Sequence, residues 1–286
     1  MGKVYDCSIL DAAFKYKDDS RIIDTSMLKT NKTKTIDINS GIKLPADDRT
    51  EKLTRTPLET IKRYNTWYFI DEKTYYLKKR VNNFAILNEL IGEELAILMG
   101  IPTIHYSLAT DDDDIIGVFS KNFLDGTYNY HKGIHASKNT LLEIRKILTD
   151  KSYECDESLR RNYTAMLIKH FYTSLNDRSE NTYYGISNGK LVFTPTFDYE
   201  SSFIKLDEET YIDPLINYSF NPESSAYIKE NNEYFEEYLN MILNYSITSI
   251  LSRIEEKHGI NIPTDFVSYY ENFDKKKKEF MKTLGL

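Results

Sequence analysis

The stretch "VNNFAILNELIGEELAILMG", Val81 to Gly100, constrains the fold most. Ile86, Leu87, Leu90, Ile91, Leu95 and Leu98 recur at helical spacing, so they fall on one broad face of a helix over about Asn82–Met99. Gly100 stands where a helix ends on a left-handed residue. Strand-like runs flank this helix on both sides. Before it come "NTWYFID" and "KTYYLKKR", aromatic-rich and joined by the polar turn Asp71-Glu72-Lys73, which predicts a hairpin. After it come "TIHYSLA" and "IIGVFSKNF" around the acidic turn Asp111 to Asp114. That turn reads as a solvated hairpin loop, because consecutive Asp residues offer a metal poor geometry.

The pattern differs outside this region. Up to about Arg63 the chain is polar and rich in Lys, Thr and Asp, and reads as loops with at most short strands. After Asp125 it is mainly helical. Candidate helices are "SKNTLLEIRKILTD", "DESLRRNYTAMLIKHFYTSL", "NEYFEEYLNMILNYSITSILSRIEEKHG" and "TDFVSYYENFDKKKKEFMKTL". A hairpin, "TYYGISNGKLVFTPTF", interrupts them and turns at Asn188-Gly189. Lys275 to Lys278 form a charge run that reads as a solvated helix face.

Composition excludes several classes. The net charge of -7 weighs against a duplex DNA binder, so nucleic acid is not the expected partner. Two cysteines, Cys7 and Cys155, make neither a disulfide framework nor a cysteine-rich zinc site. The start has no leader-like apolar core and no apolar run reaches membrane-spanning length, which predicts a cytoplasmic protein with no membrane partner. "GISNGK" is one residue short of a phosphate loop and sits in a hairpin turn. His131 and His135 lie in a loop-like stretch with no nearby Cys, a poor start for a metal site.

The chemistry-bearing residues are distributed along the chain. Phosphoryl transfer needs a cation for the phosphates, an acid to orient it, a carboxylate near the attacking hydroxyl, and Asn or Asp oxygens on Mg²⁺. Lys78 ends the strand "TYYLK", and Glu89 lies on the following helix with Glu93 one turn on. Asp177 and Asn181 follow a helix in a loop, and Asp198 ends the strand "LVFTPTF". Each also has a plain structural reading, as a strand edge, a helix surface or a turn residue.

In this order, "YYLK", "NELIGEELAILMGIP" followed by "HYSLA", "GVFSKNFL", "NDRSEN" and "FDY" resemble the HipA-like serine/threonine kinases. These form a bacterial branch of the protein-kinase and phosphatidylinositol-kinase fold. The resemblance runs over roughly Tyr64 to Tyr199; residues before about Thr54 have no clear counterpart, and the larger N-terminal subdomain of longer HipA proteins has no match. It implies an α+β, two-lobed kinase-like fold, with a strand-rich lobe over 1–119 and a helical lobe over 120–286. ATP and Mg²⁺ are the implied cofactors, and a protein hydroxyl is the implied acceptor. Lys78 would contact the α/β-phosphates and Glu89 would pair with it. Ser120, Lys121, Asn122 and Phe123 would form the hinge for the adenine. Asp177 would be the catalytic base, with Asn181 and Asp198 as metal ligands. Thr60, with Lys62 and Arg63, would supply phosphate contacts, in the loop where family members carry an autophosphorylated hydroxyl. A separate antitoxin or regulatory protein is the implied partner.

The chain departs from the family pattern in one place. Members show Asp-Arg-His with Asn five positions after the Asp; here Asp177-Arg178 is followed by Ser179, and Asn181 comes only four on. Either the loop is one residue shorter, which the Asp-Arg match favours, or Asn176 holds the base position and catalysis is impaired. The alternatives are therefore a pseudokinase or nucleotide-binding interaction module, and a small-molecule or lipid kinase on the same fold. A helical scaffold without nucleotide is the rival from another class.

Overall fold

The computed structural model describes residues 35–40, 42–43, 66–71, 73–79, 83–111, 114–121, 123, 129–132, 154–155, 157–174, 183–187, 190–200, 202–203 and 229–283. Among these, a six-stranded sheet in the order β1-β5-β6-β4-β3-β2 holds the N-terminal part. Its strands are β1 (Thr35–Asp37), β2 (Ile42–Lys43), β3 (Thr66–Ile70), β4 (Lys73–Lys79), β5 (Tyr106–Asp111) and β6 (Asp114–Lys121). β3 and β4 pair antiparallel with Ile70 opposite Lys73, and β5 and β6 pair with Asp111 opposite Asp114. Lys73, read from the sequence as part of the turn, is already the first residue of β4. In the polar N-terminal region, β1 runs parallel to β5 and β2 runs antiparallel to β3.

Helix α1 (Asn83–Leu98) covers one face of this sheet. Leu87, Leu90, Ile91 and Leu95 are fully buried, in one core with Leu108 and Val118. Leu77, Ala109 and Phe119 turn to the other face and pack with Tyr68 and Ile70. Side chains alternate between faces along a strand, and directly opposed residues share a face. Lys78 lies opposite Val118, and Tyr76 opposite Ser120, so all four point to the α1 side. The helix ends at Gly100, whose φ of +66° is the left-handed conformation that a stop there requires.

A second sheet, in the order β7-β9-β10-β8, comprises β7 (Asn129–Lys132), β8 (Glu154–Cys155), β9 (Tyr183–Ser187) and β10 (Lys190–Phe193). β9 and β10 pair antiparallel, with Ser187 opposite Lys190, and the expected turn residues Asn188 and Gly189 lie outside the described residues. The described region after Asp125 is mainly helical, as expected, and β7 and β8 are additions that the sequence reading did not include. They are four and two residues long, too short for a period-2 pattern, and exist through pairing with the hairpin. The helix read from "SKNTLLEIRKILTD" lies outside the described residues.

Among the described residues four helices follow: α2 (Glu157–Thr173), α3 (Asn232–Leu243), α4 (Ile247–His258) and α5 (Thr264–Thr283). The sequence reads α3 and α4 as one helix, and the structure breaks it at Asn244–Ser246. The Asn244 side chain donates back to the Asn240 carbonyl at 2.8 Å. Ser246 takes an extended conformation, φ -110° and ψ 120°, at the start of α4. Asn and Ser compete locally for backbone hydrogen bonds and favour helix ends. The freed Tyr245 carbonyl accepts a hydrogen bond from Lys278 of α5. The run Lys275–Lys278 is thus only half a solvated face. Lys275 and Lys276 are exposed, Lys277 sits 4.3 Å from the centroid of the Phe171 ring, and Lys278 pairs with Asp274 at 3.0 Å. Among the described residues no helix is long and apolar enough to cross a membrane.

Candidate active site

Three elements distant in sequence meet at Lys78. Its ammonium pairs with Glu89 of α1 and with Asp198, and reaches Glu200 at 3.2 Å. The Lys78 side chain is only 13% exposed and Glu89 1%, whereas Asp198 and Glu200 are 26% and 33% exposed. Burial pushes the Lys78 pKa down, but Asp198, Glu200 and Glu89 outweigh it and hold the pKa well above the ordinary lysine value. Burial also raises the Glu200 pKa, against the opposing pull of Lys78 and with help from Asp198 and Glu89.

The loop after β10 is stitched into place by backbone contacts. Thr196 N–H donates to the Pro102 carbonyl at 2.7 Å, and Ile104 N–H donates to the Thr196 carbonyl at 3.1 Å. These bonds set the chain before Asp198 against the connection that leaves α1. Asp198 itself has a φ of +65°. This left-handed conformation is uncommon for residues other than glycine, although Asp tolerates it better than most, and such strain collects at functional sites. Here it is held by partners. Asp198 N–H donates to the Tyr106 hydroxyl at 3.2 Å. Tyr199 and Glu200 N–H groups donate to the two Glu89 oxygens at 2.8 and 3.2 Å. Glu89 therefore orients both the lysine and the loop.

Tyr199 anchors the loop from below. Its ring is fully buried against Gly92, where any Cβ would overlap it, and Lys169 Nζ lies 3.6 Å from its ring centroid. Glu93, one turn after Glu89, has a separate structural task. It is fully buried and accepts from His105 Nδ1 at 2.9 Å, Tyr106 N–H at 3.0 Å and Lys257 Nζ at 2.7 Å. It thereby fixes the start of β5, and with it the Tyr106 hydroxyl beside Asp198.

The remaining candidates separate into two groups. Ser120 is buried on the α1 side of β6, Lys121 is exposed at the strand end, and the Phe123 ring lies 5.6 Å from that of Phe197. Asp177, Asn181, Thr60 and Asn122 lie outside the described residues. Sequence reasoning missed Glu200, Tyr106 and Lys169. Lys169 left a trace as a cation within the apolar run "MLIKHF"; Glu200 left one as a second acid two residues after Asp198. Tyr106 looks like any strand aromatic.

The carboxyl oxygens of Glu89, Asp198 and Glu200 lie within 4.8 Å of one another. Three carboxylates against one ammonium leave a formal charge of -2 (three minus one). An all-oxygen, partly exposed donor set of that charge suits a hard divalent cation such as Mg²⁺. Glu89 accepts from two backbone N–H groups and Lys78, and Asp198 and Glu200 are the more exposed of the three.

No protein-family model matches the chain. No curated protein matches it in sequence. Solved structures do match. The proinflammatory kinase CtkA of Helicobacter pylori is 13% identical, with a TM-score of 0.52 over 86% of this chain and 94% of that one. HipA of Shewanella oneidensis MR-1, from a toxin–antitoxin complex with HipB and operator DNA, is 10% identical, with a TM-score of 0.55 over 91% of this chain and 72% of that one. The mixed α+β architecture, with its strand-rich N-terminal sheet and helical C-terminal part, is accordingly the two-lobed kinase-like fold of HipA and CtkA.

Proposed function

We propose that the protein is an ATP- and Mg²⁺-dependent kinase that transfers the γ-phosphoryl group to a Ser or Thr hydroxyl of a protein. The observation that carries this reading is the pairing of one buried lysine with a helix carboxylate, Glu89, and a loop carboxylate, Asp198. Phosphoryl transfer is mostly positioning and charge neutralisation, and these are the parts it needs. Lys78 would move from Asp198 to the α/β-phosphates while Glu89 keeps it in place. Asp198, with Glu200 beside it and Asn181 from the preceding loop, would hold Mg²⁺. Mg²⁺ held there would supply positive charge to offset that of the phosphates. Asp177 would orient the hydroxyl and accept its proton.

The adenine would be received by the hinge from Ser120 to Phe123, with the Phe123–Phe197 ring pair beside it. Thr60 would add a phosphate contact from the loop before β3. The lobes would divide near Phe119, where β6 approaches its end. HipA is found with HipB, and a regulatory protein partner of that kind, together with a protein substrate and a cytoplasmic location, belongs to this reading. The net charge of -7 weighs against direct nucleic-acid binding.

The test combines two measurements. Thermal stabilisation by ATP is read with Mg²⁺ and with EDTA, and transfer of labelled γ-phosphate is read on the protein itself and on a generic protein substrate. Mg²⁺-dependent stabilisation together with label transfer is expected. Stabilisation indifferent to Mg²⁺ would remove the metal assignment. Mg-ATP binding without transfer would make the chain a nucleotide-binding module.

A further inference from the structure

The residue next to Glu89 does something different with the same loop. Asn88 is 2% exposed. Its Nδ2 donates to the Glu200 carbonyl at 2.8 Å and to the Ser202 carbonyl at 2.6 Å. Its Oδ1 accepts from the hydroxyl of Tyr270, a fully buried residue of α5, at 2.8 Å. Two carbonyls on one end and a hydroxyl donor on the other fix which end of the amide is NH₂. Glu89 thus holds the N–H groups of Tyr199 and Glu200, and Asn88 holds the carbonyls of Glu200 and Ser202. Consecutive residues of one helix grip both edges of the loop.

The C-terminal helix completes the grip. The Tyr269 hydroxyl donates to the Phe203 carbonyl, and the Phe203 ring packs edge-on against Tyr270 at 5.4 Å and Phe273 at 5.2 Å. The Phe203 N–H donates to the Thr173 carbonyl of α2 at 2.7 Å. Asp198 and Phe203, at the two ends of this loop, both have left-handed φ values, +65° and +59°. A segment with two such residues keeps its shape only where its surroundings over-determine it.

We propose that Asn88 and Tyr270 form a positioning relay that sets the affinity of the Asp198–Glu200 loop for its metal ion. Neither residue touches the ion. Tyr270 orients the Asn88 amide, and Asn88 fixes the backbone that carries the two carboxylates. The far end of the chain thereby enters the metal site through one hydroxyl. The inference rests on the reading of Asp198 and Glu200 as the Mg²⁺ site.

The experiment titrates Mg²⁺ at fixed ATP and reads the concentration that gives half-maximal thermal stabilisation. Asn88→Leu keeps the volume and removes the grip. It should raise that midpoint about tenfold, the usual cost of losing a group that orients metal ligands. Nucleotide affinity without Mg²⁺ should stay within about twofold, since no nucleotide contact changes. Tyr270→Phe loses one hydrogen bond and should raise the midpoint about threefold. The double variant should not exceed Asn88→Leu, because the two residues act through one chain. A wild type that responds to Mg²⁺ while Asn88→Leu keeps its midpoint overturns the relay alone, and so does a Tyr270→Phe effect that adds in full to that of Asn88→Leu. Should Asn88→Leu fail to fold, an unchanged midpoint in Tyr270→Phe overturns it equally. A wild type with no Mg²⁺ response overturns the metal-site reading and this inference with it.

Discussion

Replacing Lys78 with Met removes the ammonium and keeps most of the side-chain bulk. Glu89, Asp198 and Glu200 then face one another with no cation between them. Breaking a buried ion pair from one side costs about 3–5 kcal/mol. Asp198 and Glu200 are 26% and 33% exposed, so water screens part of the repulsion, and the expected loss at pH 7 is about 2–3 kcal/mol. For a chain of this length that corresponds to a fall in Tm of about 3–5 °C. The loss should depend on pH with a definite sign. Glu200 already has a raised pKa, through burial first and the neighbouring carboxylates next, and losing Lys78 removes the one group that lowers it. A carboxyl with a raised folded-state pKa contributes stability that is fully present below its unfolded pKa of about 4.3 and is lost as pH rises through the folded value. The gap between Lys78→Met and wild type should therefore be large at pH 8 and shrink to about 1 kcal/mol at pH 5. Mg²⁺ without nucleotide should stabilise the variant more than the wild type. Thermal unfolding at the two pH values, with and without Mg²⁺, measures all of this. An equal Tm loss at pH 8 and pH 5 would refute the reasoning, because it would mean the three carboxylates do not sense one another.

Four further outcomes follow from the proposed function and the packing around Tyr199. Asp198→Asn should abolish the Mg²⁺ dependence of ATP stabilisation while the fold survives, whereas Asn181→Ala should weaken it less, since a neutral oxygen holds Mg²⁺ less well than a carboxylate. Asp177→Asn should leave ATP binding nearly intact and cut phosphoryl transfer by about a thousandfold or more, with Asn176→Ala mild; an active wild type unaffected by Asp177→Asn would remove it as the base. In the other register wild-type transfer should be near zero and Asn176→Asp should create it, so transfer rates for the three proteins at one ATP concentration decide. Gly92→Ala should lower stability by about 1–3 kcal/mol, read in urea unfolding, because the new methyl overlaps the buried Tyr199 ring and the loop behind it must shift.

Much of the N-terminal architecture was legible from local pattern. The stripe from Ile86 to Leu98, the stop at Gly100, and the two strand pairs flanking the helix are short-range signals, and each produced the corresponding element. Period and turn chemistry act between residues a few positions apart, so they survive in a bare sequence. The same reasoning failed at Asn244–Ser246. There the apolar pattern of α3 runs on into α4, and the break depends on a Tyr245 carbonyl that Lys278 caps from another helix. It failed again at β7 and β8, which have too few residues to carry a pattern and are strands only because the β9–β10 hairpin pairs with them.

The candidate site divides along the same line. Residue types, read together with the HipA-like resemblance, suggested Lys78, Glu89 and Asp198, since phosphate and metal chemistry demands a cation and carboxylates. That they converge was decided by tertiary structure. Alternation along β4 turns Lys78 toward α1, the helix carries Glu89 to meet it, and the Pro102–Thr196 backbone bonds deliver Asp198 from 120 residues away. Asn88 and Tyr270 had no comparable mark in the sequence. An asparagine on a helix and a tyrosine 182 positions later become one hydrogen-bonded unit only when α1 and α5 close on the same loop. The physical reason is the range of the forces. Helix and strand preferences are settled by neighbours along the chain, whereas charge pairing and buried hydrogen bonds depend on who is near in space, which the packed core determines.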